Sequence, residues 1–208
     1  MAPIVVEHPE TKLRSEVRCG QCRACRLRRK KSWVGRLLME SGDHIVSRFI
    51  TLTYADDPGI LDYRDFQLFM KRYRERYGNV RFFAVGEYGG KTARGHYHAI
   101  LFGHAPETRG FSVSLREVWG KGFCYDGTVT KDSIGYVSGY CFKENYAPGK
   151  MPFVRMSLRP GIGMDRIAEM GERLAKFRLS YYPSSYKVGG HDYPLCDGGL
   201  SRFITVVS

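Results

Sequence analysis

The stretch Gly95-His96-Tyr97-His98-Ala99-Ile100-Leu101-Phe102-Gly103 constrains this chain more than any other, because it sets two imidazoles two residues apart at the head of an apolar, β-like run. Successive strand side chains point to opposite faces, so His96 and His98 share one face while Tyr97 turns to the other. The preceding run, Val80-Arg81-Phe82-Phe83-Ala84-Val85-Gly86-Glu87-Tyr88, is also strand-like, and a polar, glycine-rich segment, residues 89–95, joins the two as a hairpin. Two neutral imidazoles are good ligands for a divalent cation but incomplete as a pair. A register that sets Glu87 opposite His96 supplies the third ligand, on the same face and at cross-strand contact distance. A lone histidine in a strand is ordinarily a core or surface residue with a satisfied hydrogen bond, and His8, His44, His104 and His191 are read that way.

At 208 residues the chain can bury a core of one domain, or one domain with an appendage. No uninterrupted apolar run approaches a membrane span and the start lacks a signal-peptide stretch, so a cytosolic protein with no membrane partner is expected. A net charge of +12, with 14 Tyr and 12 Phe, points to a polyanion whose bases stack on rings, and nucleic acid is the leading partner. Basic surfaces also serve solubility or anionic membranes, so charge alone does not decide this.

Between Arg18 and Arg36 stand eight basic residues and no acid. Leu27, Val34, Leu37 and Leu38 recur at helical spacing, which predicts an amphipathic helix whose cationic face suits phosphates, with Arg23, Arg26, Arg28, Arg29, Lys30 and Lys31 as the DNA-binding candidates. A merely solvated face is the competing reading. Cys19, Cys22 and Cys25, at C-x-x-C-x-x-C spacing, are too crowded for a disulfide framework. They could give three thiolates to a structural zinc, with a remote cysteine or His8 as fourth ligand, or pack as free thiols under the helix. A ferredoxin-type cluster fits less well, since Cys124, Cys141 and Cys196 are not followed by proline.

Residues 1–17 read as an extended or loosely ordered arm. Ser47 to Tyr54 reads as a central strand, stopped by Asp56-Asp57-Pro58-Gly59. Asp62 can cap a helix whose Phe66, Phe69, Met70, Tyr73 and Tyr77 cover one side of the sheet, leaving the opposite side open for chemistry. Glu117 to Val129 is expected as one more strand with glycine irregularities. Asp132 or Ser133 can cap a helix on which Tyr136, Tyr140 and Lys143 share a face at i, i+4 and i+7. Such a tyrosine pair is ordinarily core packing. A cation one turn on and a metal site earlier shift the reading to chemistry, because a phenol of pKa about 10 attacks well only when its anion is stabilised. Met151 to Met156 suggests a strand, 159–163 a loop and Asp165 to Arg178 a helix, while Tyr181 to Leu195 has no assignable pattern.

Three ordered motifs now stand together: Phe49-Ile50-Thr51-Leu52-Thr53; Gly86-Glu87-Tyr88-Gly89 with His96-Tyr97-His98; and Tyr136-x-x-x-Tyr140-x-x-Lys143. In that order they resemble the motifs of HUH endonucleases, and more narrowly the replication initiators of small single-stranded DNA phages of the microvirus and gokushovirus type. The cysteine-rich start, residues 19–26, and Arg159-Pro160-Gly161-Ile162-Gly163 are similar to that family too. Tyr97 departs from it, since the residue between the histidines is usually aliphatic there.

The resemblance implies an α+β, HUH/ferredoxin-like (RRM-like) fold: a central antiparallel sheet of about five strands with flanking helices. It implies a basic arm and helix over 1–45, an endonuclease core over 46–148 and a C-terminal extension over 149–208 packed on the core. Glu87, His96 and His98 would hold Mg²⁺ or Mn²⁺, Tyr136 or Tyr140 would attack the scissile phosphate, and Lys143 would neutralise tyrosinate or phosphate. Thr51 and Thr53 are read as structural strand residues near the site. The expected partners are single-stranded DNA at a replication origin and the host replication machinery, in the bacterial cytoplasm. A related transposase or relaxase, a non-catalytic origin-binding protein and a zinc-stabilised regulatory module are the other readings.

Overall fold

The computed structural model describes residues 4–7, 12, 14–90, 92–103, 111–140, 149–177 and 183–196. The basic arm opens with a two-stranded hairpin, β1 (Ile4–Glu7) and β2 (Arg14–Val17), and continues into the long helix α1 (Arg23–Gly42). Next come β3 (Val46–Tyr54), α2 (Tyr63–Tyr77), β4 (Arg81–Tyr88) and β5 (Gly95–Gly103). The remaining elements are α3 (Phe111–Trp119), β6 (Gly122–Thr128), α4 (Lys131–Tyr140), β7 (Phe153–Met156), α5 (Met164–Ala175), β8 (Ser185–Val188) and β9 (His191–Pro194).

Five strands form one antiparallel sheet in the order β6-β3-β5-β4-β7, an α+β arrangement that agrees with the HUH/ferredoxin-like expectation. Alternation along the strands sends Ile50, Leu52, Ala84, Tyr97, Ala99 and Leu101 to one face, where they pack with Phe66, Phe69, Met70 and Tyr73 of α2 and with Leu115, Val118 and Trp119 of α3. Asp62 does cap α2, its side chain accepting the Arg64 N–H at 2.8 Å. Phe83, Val85, Ile100 and Phe102 occupy the other face with Leu37 of α1 and Ile134 and Val137 of α4. That face is therefore closed over most of its area rather than left open, and only the end of the sheet where β4 finishes and β5 begins keeps polar groups.

Several local expectations change. Residues 117–119 end a helix instead of starting a strand, because Leu115, Val118 and Trp119 stand at helical spacing and are buried together. Thr130, not Asp132, caps α4: the Thr130 N–H donates to Ser133 Oγ at 2.8 Å and the Ser133 N–H to Thr130 Oγ1 at 3.1 Å, a reciprocal box that ties down two donors at the helix start. Leu27 is exposed rather than part of the apolar stripe. The unassigned tyrosine-rich stretch is a hairpin, β8 with β9, and its Tyr186, Tyr193 and Leu195 pack with Ile167 of α5 against the outer flank of α1. Gly35 permits the close approach, since a Cβ there would meet the Tyr186 hydroxyl at 2.5 Å and Tyr193 at 2.7 Å.

One buried carboxylate joins these layers. Glu40 of α1 accepts from the Arg81 guanidinium at the start of β4 and, at 2.7 Å, from the Gly163 N–H at the start of α5. Burial pushes its carboxyl up, but the Arg81 and Gly163 hydrogen bonds outweigh that and hold it below the ordinary carboxylate range. A lowered folded-state value means the stabilisation is present above the unfolded pKa and disappears as pH falls through the folded one. Glu40→Ala is expected to cost about 3 kcal/mol at neutral pH, by leaving Arg81 and the amide without their acceptor, and the gap to the unsubstituted chain should narrow below about pH 4. Denaturant unfolding of the two chains across pH measures it; a gap that grows on acidification contradicts the assignment.

Candidate active site

The register of β3, β5 and β4 builds the site. Glu87 pairs with His96, and His96 with Thr53; one step along, His98 pairs with Val85 and Thr51. Directly paired residues share a face, so both imidazoles, the carboxylate and two threonine hydroxyls lie together. Thr51 Oγ1 is 2.9 Å from His98 Nδ1, and Thr53 Oγ1 is 3.0 Å from His96 Nδ1. A hydroxyl can donate to Nδ1 or accept from it, so each ring keeps its orientation whether its Nε2 carries a proton or offers a lone pair. The threonines thus orient the rings, a role their own two-residue spacing, matching that of the histidines across an antiparallel pair, could have revealed.

Glu87 is 4% exposed, and its Oε1 lies 3.2 Å from His98 Nε2. His96 stacks beside His98 with ring centroids 6.2 Å apart, and burial, followed by the neighbouring His98, lowers its pKa and favours the neutral, ligating form. The donor set, two imidazoles and a carboxylate with their outer atoms engaged, fits a divalent cation. Glu87 and His98 are in contact and His96 is adjacent, but the three do not close into a tight cluster. Among the described residues only Cys19, Cys22 and Cys25 bring three ligand atoms within 4.8 Å of one another.

Helix α4 lays both tyrosines against His98. The Tyr140 ring stacks on the imidazole at 5.6 Å, Tyr136 meets it edge-on at 5.2 Å, and the Tyr140 hydroxyl donates to the Tyr136 oxygen at 2.6 Å. Burial, then the Tyr136 hydroxyl and the Glu87 charge, raise the Tyr140 phenol well above its ordinary pKa. Tyr136 is 47% exposed. The two phenols are therefore inequivalent: one accessible oxygen receives a hydrogen bond from a second phenol that stays protonated. Lys143 lies outside the described residues.

Tyr97, the departure between the histidines, is wholly buried on the opposite face, where its hydroxyl donates to the Asp62 carbonyl at 2.7 Å and meets the Tyr54 hydroxyl at 2.8 Å. It anchors β5 to the start of α2. The basic candidates all fall in the first half of α1. Arg23 and Lys31 are exposed, while Arg28 donates to the carbonyls of Ser184 and Leu195 and so ties the β8–β9 hairpin to α1. Lys30 reaches α4, its Nζ lying 3.5 Å from where a Cβ on Gly139 would stand. At the entry to α1, Cys19 and Cys25 Sγ are 3.9 Å apart and the Cys22 N–H donates to Cys19 Sγ at 3.3 Å. Hydrogen bonds from the Cys22 and Gln21 backbone lower the Cys19 thiol to about 7.

Residues 47–145 match the family described as Replication-associated protein ORF2. The chain is 32% identical over 61% of its length to Replication-associated protein ORF4 of Chlamydia phage 1, and 31% identical over 61% to Replication-associated protein VP4 of Bdellovibrio phage phiMH2K. It is also 27% identical over 77% to Replication-associated protein ORF2 of Spiroplasma virus 4. The matches span 38%, 48% and 59% of those proteins, so the chain accounts for less than two thirds of each. No solved structure gives a significant match. No helix among the described residues is long and apolar enough to cross a membrane.

If the threonines orient the ligands, Thr51→Val with Thr53→Val should preserve the fold and lower Mn²⁺ affinity by roughly 10- to 100-fold. Calorimetric titration with Mn²⁺ reads this directly, and an unchanged affinity would show that the hydroxyls only satisfy strand packing.

Proposed function

The chain belongs, through residues 47–145, to the ORF2 family of replication-associated proteins, and from that premise we propose that it nicks and rejoins single-stranded DNA to start rolling-circle replication. The observation that carries this reading is the meeting of the Tyr136 and Tyr140 hydroxyls over His98, beside Glu87. A core-packing pair would have no reason to stand over a carboxylate and two oriented imidazoles at the one polar end of an otherwise apolar face.

Glu87, His96 and His98 would hold the divalent cation, Mg²⁺ or Mn²⁺, which when bound supplies charge to polarise the scissile phosphate and offset the charge of an in-line displacement. Nitrogen ligands suit Mn²⁺ comfortably, whereas Mg²⁺ prefers oxygen. Tyr136 makes the first attack. Its proton leaves toward solvent on its exposed side, and the hydrogen bond donated by Tyr140 supports the growing negative charge on its oxygen. The new bond joins the Tyr136 oxygen to phosphorus, the bond to the 3′-oxygen breaks, and that oxygen takes a proton to become a free 3′-hydroxyl that a host polymerase can extend. The 5′-phosphotyrosine retains the phosphodiester energy, so no nucleotide cofactor is needed. Tyr140 then serves a second strand end, and Lys143 is assigned to neutralise tyrosinate or phosphate. Arg23, Lys31 and Lys30, on the helix beside α4, are assigned to phosphates of the bound strand. The setting for this work is the cytoplasm of a bacterial host.

The cysteine cluster is assigned a structural zinc. Sulfurs about 2.3 Å from a tetrahedral zinc lie roughly 3.8 Å apart, close to the Cys19–Cys25 separation of 3.9 Å. A fourth donor comes from outside the triad. Such a site would fix the entry to the basic helix.

Two experiments test these assignments. With Mn²⁺ and a single-stranded origin oligonucleotide, a covalent protein–DNA band that survives denaturation is expected; EDTA abolishes it, Tyr136→Phe lowers it by roughly a thousandfold or more, and Tyr140→Phe retains it. Binding without any covalent band would instead identify a non-catalytic origin-binding protein, and equal loss in both tyrosine variants would overturn the order of use. Separately, Co²⁺ loaded into the protein should give thiolate charge-transfer absorption that persists in His96→Ala/His98→Ala and vanishes in Cys22→Ser; its absence from the unsubstituted chain sinks the zinc site.

A further inference from the structure

Two cross-strand rows of the sheet run through the candidate site and out to its edge. One consists of Glu87, His96, Thr53 and Phe123, the other of Val85, His98, Thr51 and Tyr125. Each row therefore ends on the edge strand β6 in an aromatic ring on the same face as the imidazoles. Both rings are exposed, Phe123 by 56% and Tyr125 by 60%, while Cys124 between them turns into the opposite core. Phe83, Val85, Ile100 and Phe102 of the same face are buried under α1 and α4, so these two rings are an exception to how the chain treats this face.

Their setting is that of a binding surface. Tyr125 lies back across Gly127, where a Cβ would come within 3.0 Å of its hydroxyl and 3.3 Å of its ring; the glycine lets the phenol lie down along the strand. The Arg116 guanidinium stands 5.4 Å from the centre of the Phe123 ring, which sets a cation at the edge of the platform. Strands lie about 4.8 Å apart, so β6, two strands from β5, sits on the order of 10 Å from the histidines, within reach of the nucleotides next to a phosphate held there. Tyr136, itself exposed, stands over the interior part of the same surface, edge-on to Phe49 at 6.4 Å.

We propose that Phe123 and Tyr125 form a stacking platform for unpaired DNA bases flanking the scissile phosphate, with Arg116 beside it for the backbone. This rests on the single-stranded DNA reading above and goes further, by locating where bases rather than phosphates are held. Every base has a π-face, so the platform contributes affinity and holds the strand across the catalytic end of the sheet without itself selecting sequence. The rings lie outside both cores, so the fold does not depend on them.

The test compares binding of two labelled probes by fluorescence anisotropy: an oligothymidylate, and a deoxyribose-phosphate oligomer of equal length without bases. Phe123→Ala and Tyr125→Ala should each weaken oligothymidylate binding roughly tenfold, leave abasic binding and the thermal melt unchanged, and preserve the salt dependence, because no phosphate contact is removed. Phe123→Trp should restore full binding. Equal weakening on both probes, or none on either, would overturn the platform while leaving the nicking reading intact. An unsubstituted chain that binds neither probe would instead remove the single-stranded DNA reading, and the platform with it.

Discussion

The antiparallel register of β3 with β5 and of β5 with β4 is the constraint on which the rest depends. It sets Thr53, His96 and Glu87 in one row and Thr51 and His98 in the next. A slip of one residue in either pairing would send the threonines or the carboxylate to the wrong face. The slip is opposed by the apolar partners in the same strands. Ile50, Ala99 and Leu101 belong to the core under α2 and α3, and Phe83, Ile100 and Phe102 to the core under α1 and α4. Because both faces are buried, hydrophobic packing holds the polar cluster in register, and the cluster need not stabilise itself.

The two cores also divide the labour. The α2 and α3 side is packed with interlocking aromatics, including Tyr97 between Tyr54, Phe66 and Trp119, and gives the strand ends a firm backing. The α1 and α4 side carries the chemistry-bearing groups at one end and is braced from outside by α5 and the β8–β9 hairpin. Glu40 and Arg28 provide polar ties from α1 to those outer elements, so the basic helix and the tyrosine helix are held against one another by parts of the chain remote in sequence.

Much of this was legible in the residues. The two-residue spacing of the histidines, with a glutamate ahead of a glycine-rich turn, admits one register that makes sense, and the Glu87–His96 pairing follows it. Period-two alternation and the Asp62 cap located the hairpin and α2 for the same local reasons. What escaped depended on contacts distant in sequence. Thr51 and Thr53 look like ordinary strand residues until β3 is laid beside β5. Residues 117–119 carry β-prone side chains whose helical spacing matters only because α2 offers a surface to bury them. The β8–β9 hairpin is held by α1 and α5, neither of which leaves a mark on its own pattern. Phe123 and Tyr125 gave no signal either, since a strand that alternates aromatic and small residues reads alike whether its rings are buried or bare.

The hydrogen bond between the two phenols, 2.6 Å long, has a consequence for turnover. Two hydroxyls joined in this way are not interchangeable at any instant: one lends its proton and the other its lone pair. Esterification of the accepting oxygen draws its electron density toward phosphorus and weakens it as an acceptor, which frees the donor from its partner. Loading one tyrosine thus readies the other, and the order of events is written into a single contact instead of requiring a moving domain.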